Sequence, residues 1–455
     1  MIQAAMQGKQ SIERHDTSEG SGRYAVVLLT VCFTLAYIDR QVLSLLVGPV
    51  KASLQLSDSQ IGLVQGAAFS IFYVIASVPL ARLVDAGDRP RILAWCVASW
   101  SVMTAACGLA SSFVFLMLAR IGVAVGEAGL PPGSLAIFAD FFSSKRIAKA
   151  TTFFMISPYL GGGLALFVGG LLYRKIGHWK VPTVPFLGQV EPWQMMFFLV
   201  GLPGIFMALL VATTLPDPRR VQNSPVSAVP ALSQVINFIA QRGFYLTYVG
   251  AVSLIVLLLY SYSAWMPAAM MRSHNLNEGQ VGPVFGPVLL TSGIVGSLIA
   301  GWLGSKSEDA KALPYVASLL MTAAALLVVP AVLAPIVADY RVSITLFGIS
   351  VFLYSAILSL SPVPVQLIAP PGMRAQLIAF MGLVYGLVGG LGPICVGLLS
   401  EHLPQTGQAL ARALAVVAGA SVSGAAILFL GVWRAMTAVS RSSLSGIRPT
   451  VSEGA

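Results

Sequence analysis

The sequence predicts an all-α membrane protein with twelve transmembrane helices arranged as two six-helix halves. Hydrophobic residues make up 56% of the 455 residues and charged residues only 10%, whereas a typical soluble domain is about 25% charged. Apolar runs of about 20 residues recur along the chain, and this length spans a bilayer as a helix. A polar stretch in the middle of the chain divides these runs into two sets of six.

Twelve spans follow from the apolar runs and the breakers between them. Their approximate bounds are 24–48, 61–84, 91–111, 113–140, 147–173, 193–215, 245–270, 281–304, 312–333, 342–367, 374–400 and 408–436. The polar linker 216–243 joins a first half, 24–215, to a second half, 244–436. Residues 1–23 and 437–455 are predicted to be polar tails. Because the first tail has no apolar core, a cleavable signal peptide is not expected.

Lysine and arginine are distributed unevenly between the two sides of this layout. Eighteen of the 27 lie in the tails and in the loops on the N-terminal side, seven lie in the opposite loops, and two lie inside spans. Since positively charged loops face the cytoplasm, both termini are expected there, in a bacterial inner membrane. The net charge of +10 then reflects contact with anionic lipid rather than with nucleic acid.

Four charged residues lie inside the apolar runs of the first half: Asp39, Arg40, Arg120 and Glu127. A charge near the bilayer centre costs a few kcal/mol or more, so such residues usually face the bundle interior or a water-filled cavity. Arg120 and Glu127 are seven residues apart, which is roughly 10 Å along one helical face. Both are therefore expected to face the same neighbouring helix.

The chemistry of these four groups suggests a division of roles. An intramembrane arginine keeps its proton and needs a carboxylate or a substrate anion beside it. Arg120 and Arg40 are therefore candidates for anion binding, and Asp39 and Glu127 for carrying a proton. A carboxylate that loses its arginine partner in an apolar setting takes up a proton more readily. Binding of a substrate to the arginine can therefore be coupled to proton uptake by the carboxylate. A static structural ion pair is the alternative interpretation.

Aromatic and amide side chains supply a candidate uncharged wall for the same site. Tyr37 precedes Asp39 in the first span, and Tyr260, Tyr354 and Gln366 lie in spans of the second half. Such residues combine apolar surface with hydrogen-bonding groups, as ligand pockets require. Packing or an interfacial position is the alternative for each of them. Trp265, near the end of its span, is expected in the aromatic belt at the membrane surface.

Two further patterns predict moving parts. In the loop 81–91, Asp85 precedes Arg89 and Arg91, and this arrangement suits a charge clasp that gates the cytoplasmic side; an ordinary charged turn is the alternative. Helix bending is expected where proline and glycine interrupt spans five and eleven, because proline removes a backbone hydrogen bond and glycine permits close packing. The residues concerned are Pro158, Gly161, Gly162 and Pro393.

These motifs resemble those of the major facilitator superfamily. Asp85 and Arg89 match its loop signature in register, although Ala81 and Pro90 depart from it, and Ser157–Gly163 is similar to its helix-bending motif. Tyr37–Arg40 together with Arg120–Ala128 resembles its spinster branch. The resemblance implies two pseudo-symmetric six-helix bundles that alternate access to a central site. It also implies a lysolipid or sphingoid-type lipid as a candidate substrate.

The expected function is that of a proton-coupled transporter of an amphiphilic or anionic small molecule. It is expected to act as a monomer among membrane lipids, with the proton as coupling ion and without a cofactor or metal. An organic-anion, sugar-acid or multidrug porter of the same superfamily is the alternative. A channel is not expected, because it would need a continuous polar lining, whereas the polar groups of the spans concentrate in the first half of the chain. An enzyme is not expected, because His15, His178, His274 and His402 fall in tails or outer loops and form no catalytic set.

Overall fold

The computed structural model describes residues 2–142, 144–177, 183–184, 188–217, 232–241, 243–306, 312–369, 373–404 and 406–445. The side chains of residues 1–19, 85, 144–145, 148, 183–184, 188, 232–233, 312, 374–375 and 438–445 also lie outside this description. Most of the predicted linker 216–243 also lies outside it, as do residues 446–455 of the predicted C-terminal tail.

The six spans of the first half correspond to helices, four of which continue across a short break. The first unbroken helix extends from the predicted tail into the first span. The elements are α1 Ile2–Leu45, α2 Val47–Leu54, α3 Asp58–Gln65, α4 Ala67–Ala86, α5 Arg89–Cys107, α6 Phe113–Glu127, α7 Leu130–Phe141, α8 Ser144–Phe154, α9 Ser157–Ile176 and α10 Pro192–Thr214. Between α9 and α10, β1 Thr183–Val184 pairs antiparallel with β2 Gly188–Gln189.

The second half repeats the pattern of long helices. Its elements are α11 Leu232–Ala240, α12 Gly243–His274, α13 Glu278–Gly304, α14 Ala312–Leu333, α15 Tyr340–Leu360, α16 Pro362–Ile368, α17 Arg374–His402 and α18 Ala409–Ser445. The short α11 lies within the predicted linker. Helix α18 continues nine residues beyond the predicted span, into the predicted tail.

Eleven helical spans in the described part of the chain are long and apolar enough to cross a membrane. The remaining predicted span corresponds to α5, whose first turn carries Arg89 and Arg91 and whose N-cap is Asp88. These polar residues lower the hydropathy of α5, yet α5 packs against α6 and α10 and buries Trp100 fully. The twelve predicted spans therefore each have a helical counterpart, and the all-α membrane class is confirmed.

Breaks inside spans occur where the sequence weakens the helical ladder. The turn between α8 and α9 immediately precedes Pro158, which occupies the first turn of α9. Gly66, with φ −108° and ψ −96°, separates α3 from α4. Pro131 lies in the first turn of α7, just after the break that ends α6.

The chain forms two compact units. The first comprises Met1–Ser227 with Met270–Leu290, and the second comprises Ala228–Ala269 with Thr291–Ala455. The first unit has an aromatic core, in which Phe33 stacks on Phe154 with ring centroids 4.5 Å apart and Phe138 meets Phe154 edge-on.

The second unit is held by aromatic donors that bond to backbone carbonyls of other helices. Tyr245 Oη donates to the Leu377 carbonyl at 2.6 Å, and Trp265 Nε1 donates to the Pro393 carbonyl at 2.8 Å. Each bond satisfies a polar group that would otherwise be costly to bury. Trp265 is fully buried, so its predicted place in the aromatic belt is wrong. Its indole instead binds the carbonyl of the proline within α17.

Candidate functional site

The four intramembrane charges meet in the first unit, where residues of α1 and α6 bond to each other. Asp39 and Arg40 lie on α1, and Arg120 and Glu127 lie on α6. Arg120 and Glu127 both contact α1, which confirms that they face the same neighbour. Asp39, Arg120 and Glu127 are at most 2% exposed. A charge at such depth requires partners, and each of the four has them.

Arg40 and Glu127 form the ion pair of this cluster. The Arg40 Nε atom donates to Glu127 Oε2 at 2.5 Å. Three rings surround the same guanidinium: its Cζ atom lies 4.9 Å from the ring centroid of Tyr37, 4.6 Å from that of Phe69 and 5.0 Å from that of Tyr73. Aromatic faces attract cations, so these rings stabilise Arg40 in addition to its carboxylate.

Asp39 has different partners. Thr104 Oγ1 on α5 donates to Asp39 Oδ2 at 2.9 Å, and Arg120 Nη1 donates to the backbone carbonyl of Asp39 at 3.2 Å. Arg120 Cζ also lies 5.5 Å from the Phe69 ring centroid. Arg120 therefore binds the main chain beside one carboxylate while Arg40 binds the other carboxylate directly.

Three buried polar atoms in the cluster have no hydrogen-bond partner among the described residues. They are Asp39 Oδ1, Glu127 Oε1 and Arg120 Nε. Buried polar atoms are usually satisfied, and an exception calls for a physical explanation such as a functional role or a bound water. Two carboxylate oxygens that can accept a proton and one guanidinium donor that can meet an anion thus remain available in one place.

Glycines on α6 bring α5 close enough to complete the cluster. A Cβ atom at Gly126 would lie 2.7 Å from the backbone nitrogen of Trp100, and one at Gly122 would lie 2.6 Å from Met103 Cγ. Backbone approach of this kind needs glycine. It positions Thr104, on the same helix as Trp100, beside Asp39. Sequence reasoning did not identify Thr104, because a single hydroxyl in an apolar span carries no distinctive pattern.

The proposed pocket residues of the second half lie in the second unit and differ in exposure. Tyr354 is 1% exposed, Tyr260 is half-buried and Gln366, on α16, is exposed. Tyr260 lies beside Gly389: a Cβ atom placed at Gly389 would be 3.4 Å from Cδ2 of the tyrosine ring. In the first unit, Tyr37 lies in the cluster itself, beside Arg40.

The three loop residues assigned to the gate occupy different settings. Arg89 is buried and its Nη1 donates to Asp140 Oδ2 at the end of α7. Arg91 is exposed, and its Nε atom lies 3.5 Å from Oδ2 of Asp88, the N-cap of the same helix. The side chain of Asp85 lies outside the described residues. Asp140 is a partner that sequence reasoning did not identify.

The helix-bending residues lie at close contacts. Pro158 lies in the first turn of α9, and a Cβ atom at Gly161 would lie 2.4 Å from the Thr34 carbonyl oxygen on α1. At Gly162, the nearest atom would be Leu289 Cδ2, at 3.1 Å. Pro393 lies inside α17. Close packing of α9 on α1 thus occurs one turn before Asp39.

A second charge cluster in the first unit was not predicted. Asp58 accepts two bonds from Arg272, at 2.6 and 2.8 Å, and one from Lys51 at 2.7 Å. Beside it is an open cavity of about 490 Å³ lined by Gly48, Lys51, Ala52, Gln55, Leu56 and Arg272. Sequence could place Asp58 at a helix start, after the Ser57 cap, but could not reveal a partner 214 residues away.

Comparisons with known proteins identify relatives over most of the chain. Residues 29–393 match the family described as the Major Facilitator Superfamily. An MFS-type efflux pump of Mycolicibacterium smegmatis is 29% identical over 400 residues, covering 87% of this chain and 89% of that protein. Human protein spinster homolog 1 is 25% identical over 424 residues, covering 85% and 75%.

Solved structures share the fold. The crystal structure of a bacterial homologue of the human lysosomal transporter Spinster, in an inward-facing and unoccupied conformation, superposes with a TM-score of 0.75. The match covers 93% of this chain and 98% of that one at 24% identity. At this identity the structural likeness supports the fold alone.

Proposed function

The chain belongs to the Major Facilitator Superfamily, and on this premise we propose that it is a proton-coupled transporter that works by alternating access. Its proposed substrate is an amphiphilic or anionic small molecule, with a lysolipid or sphingoid-type lipid as the first candidate. This substrate class is what the resemblance to the spinster branch implies, and human protein spinster homolog 1 is among the relatives of this chain. The protein is proposed to act as a monomer among membrane lipids, with the proton as its coupling ion.

The observation that carries the proposal is the ion pair of the partly buried Arg40 with the buried Glu127, beside the buried Asp39. Each carboxylate has one oxygen held by a donor and one without a partner among the described residues. An ionised carboxylate is stable beside an arginine, and it favours the protonated form once that arginine turns to another anion. Substrate binding at the arginines would thereby be linked to proton uptake at the carboxylates.

Arg120 is the proposed contact for a substrate anion. It is 2% exposed, and its Nε atom has no acceptor among the described residues. Arg120 donates to the Asp39 backbone, and among the described residues no carboxylate ligand bonds to its guanidinium. A substrate anion could supply this ligand, since charge-assisted bonds to arginine are among the stronger hydrogen bonds in proteins.

Export of diverse drugs is the second candidate function. The efflux pump from Mycolicibacterium smegmatis covers most of this chain at a higher identity than human spinster homolog 1. The rings around Arg40 could also receive an organic cation, because aromatic faces bind cations generally. The two candidate functions differ in the charge of the substrate that binds at the cluster: an anionic group for the first, an organic cation for the second.

The test is transport into proteoliposomes with an imposed pH gradient. We expect a fluorescent lysolipid to accumulate, about tenfold per pH unit if one proton accompanies each molecule. A cationic dye should neither accumulate nor compete. Accumulation of the dye without the lysolipid would support the drug exporter instead, and equal uptake with and without the gradient would contradict proton coupling.

We also propose that both termini face the cytoplasm of a bacterial cell, on the basis of the lysine and arginine bias. Ser305 and Gln408 are exposed residues on opposite sides of this layout. A cysteine at Gln408 should react with an impermeant thiol reagent added to intact cells, and one at Ser305 only after lysis. The reverse pattern would invert the orientation.

A further inference from the structure

Thr104 places a hydroxyl group against the carboxylate of Asp39 in the interior of the first unit. Its side chain is fully buried, and its Oγ1 atom lies 2.9 Å from Asp39 Oδ2. The other carboxylate oxygen, Oδ1, has no partner among the described residues. The two oxygens of Asp39 are therefore unequal, because only one of them accepts this hydrogen bond.

Two other buried hydroxyls in the same unit bond to their own helix, and Ser157 on α9 donates across to a backbone carbonyl, that of Thr30 on α1. Ser101, one turn earlier on α5, donates to the Val97 carbonyl at 2.6 Å, and Thr30 on α1 donates to the Val26 carbonyl. This return bond to the preceding turn is the ordinary way to satisfy a hydroxyl in an apolar helix. Thr104 instead bonds across to another helix, with an ionisable group as its acceptor.

We propose that Thr104 is a positioning residue for proton coupling: its hydroxyl holds Oδ2 of Asp39 and favours the ionised carboxylate, leaving Oδ1 to take the proton. This inference rests on the proposed proton coupling. A hydroxyl that donates to a carboxylate stabilises the charged form, and such bonds to charged groups are stronger than neutral ones.

Other ionisable groups near Asp39 also influence whether its carboxylate is ionised. They are Glu127, Arg120 and Arg40; Arg120 Nη1 donates to the backbone carbonyl of Asp39, and Arg40 binds Glu127. The thiol of Cys107, three residues after Thr104 on α5, is also buried. Because Arg40 binds Glu127 and Arg120 binds the backbone of Asp39, Thr104 is the residue that holds the Asp39 carboxylate itself.

The test compares Thr104→Val, which keeps the shape but removes the hydroxyl, with Thr104→Ser, which keeps the hydroxyl. The readouts are the pH profile of transport and infrared detection of the protonated carboxylic acid during a pH titration of purified protein. We expect the midpoint assigned to Asp39 to move about one pH unit upward in the valine variant. The serine variant should remain near the wild type.

Ser101→Ala is the matched control, since it removes a buried hydroxyl from the same helix without touching a carboxylate. An unchanged midpoint in Thr104→Val, equal shifts in the valine and serine variants, or the same shift in Ser101→Ala would each overturn the inference. If the Thr104→Val protein does not express in a folded form, Thr104→Ala removes the same hydroxyl with a smaller side chain. The infrared readout needs no transport, so failure of this inference is distinguishable from failure of proton coupling.

Discussion

At the residue scale, Arg40 is stabilised by two kinds of partner. Glu127 binds its Nε edge, while Tyr37, Phe69 and Tyr73 surround its guanidinium. The rings remain when Glu127 takes up a proton, so Arg40 would keep part of its stabilisation. Breaking a buried pair otherwise costs about 3–5 kcal/mol. The aromatic contacts therefore favour an Arg40–Glu127 ion pair that can separate during transport over a permanent structural ion pair.

Phe69 is central to this arrangement, because its ring contacts the guanidinium groups of both Arg40 and Arg120. Phe69→Leu removes the aromatic face and preserves most of the apolar volume. We expect a loss of roughly 1–3 kcal/mol in stability and a larger loss of transport. Phe347→Leu, at a buried position of the second unit, is the control. Equal loss of transport at equal loss of thermal stability in both variants would contradict a specific role.

The charged members of the site could be predicted from sequence, but their partners could not. A charge within an apolar run is conspicuous because of its cost, which identified Asp39, Arg40, Arg120 and Glu127. Which arginine meets Glu127 depends on the rotation and height of α1 against α6. Neither follows from spacing along a single helix, and for the same reason Thr104 carried no signal.

At the element scale, the contact between α5 and α6 controls the geometry of the site. Gly126→Ala would place a methyl group 2.7 Å from the Trp100 backbone nitrogen and 3.0 Å from its Cα. Backbone atoms cannot yield as a flexible side chain can, so α5 must shift and carry Thr104 away from Asp39. We expect a stability loss of about 1–3 kcal/mol together with reduced transport, measured by melting and by proteoliposome uptake.

Gly431→Ala is the matched control for this contact. A Cβ atom there would meet nothing within 4 Å, and Gly431 lies within α18. Alanine is the better helix former by about 1 kcal/mol, so this variant should melt no lower than the wild type. If Gly126→Ala melted like Gly431→Ala and transported normally, the close contact would be unimportant.

One of the breaks lies beside a proline at which the sequence predicts bending. Bending is expected at Pro158 because proline cannot donate the backbone bond that a continuous helix needs, and the chain turns just before α9. Bending is equally expected at Pro393, which lies within the unbroken α17. The break at Gly66 was not predicted, because an isolated glycine in an apolar run often packs within an unbroken helix. The last predicted span, 408–436, agrees with the apolar span Ala409–Thr437, although helix α18 continues to Ser445, because hydropathy reports where the apolar segment ends and not where the helix ends.

At the scale of the whole molecule, the twelve spans were predictable because hydropathy over about 20 residues depends only on local sequence. Contacts between distant segments were not. Asp58 and Arg272 are 214 residues apart in the chain, and the structure joins them in one unit. No local pattern could pair them, since many exposed charges along the chain offer equally plausible partners.

The most direct test of the account is proton-driven uptake by purified Glu127→Gln, measured beside its melting temperature. Glutamine fills a similar volume and can accept a bond from Arg40, but it cannot exchange a proton. We expect a folded protein that loses accumulation under a pH gradient while retaining substrate exchange at equilibrium. Wild-type accumulation by a well-folded Glu127→Gln variant would contradict the role of Glu127 as a proton carrier.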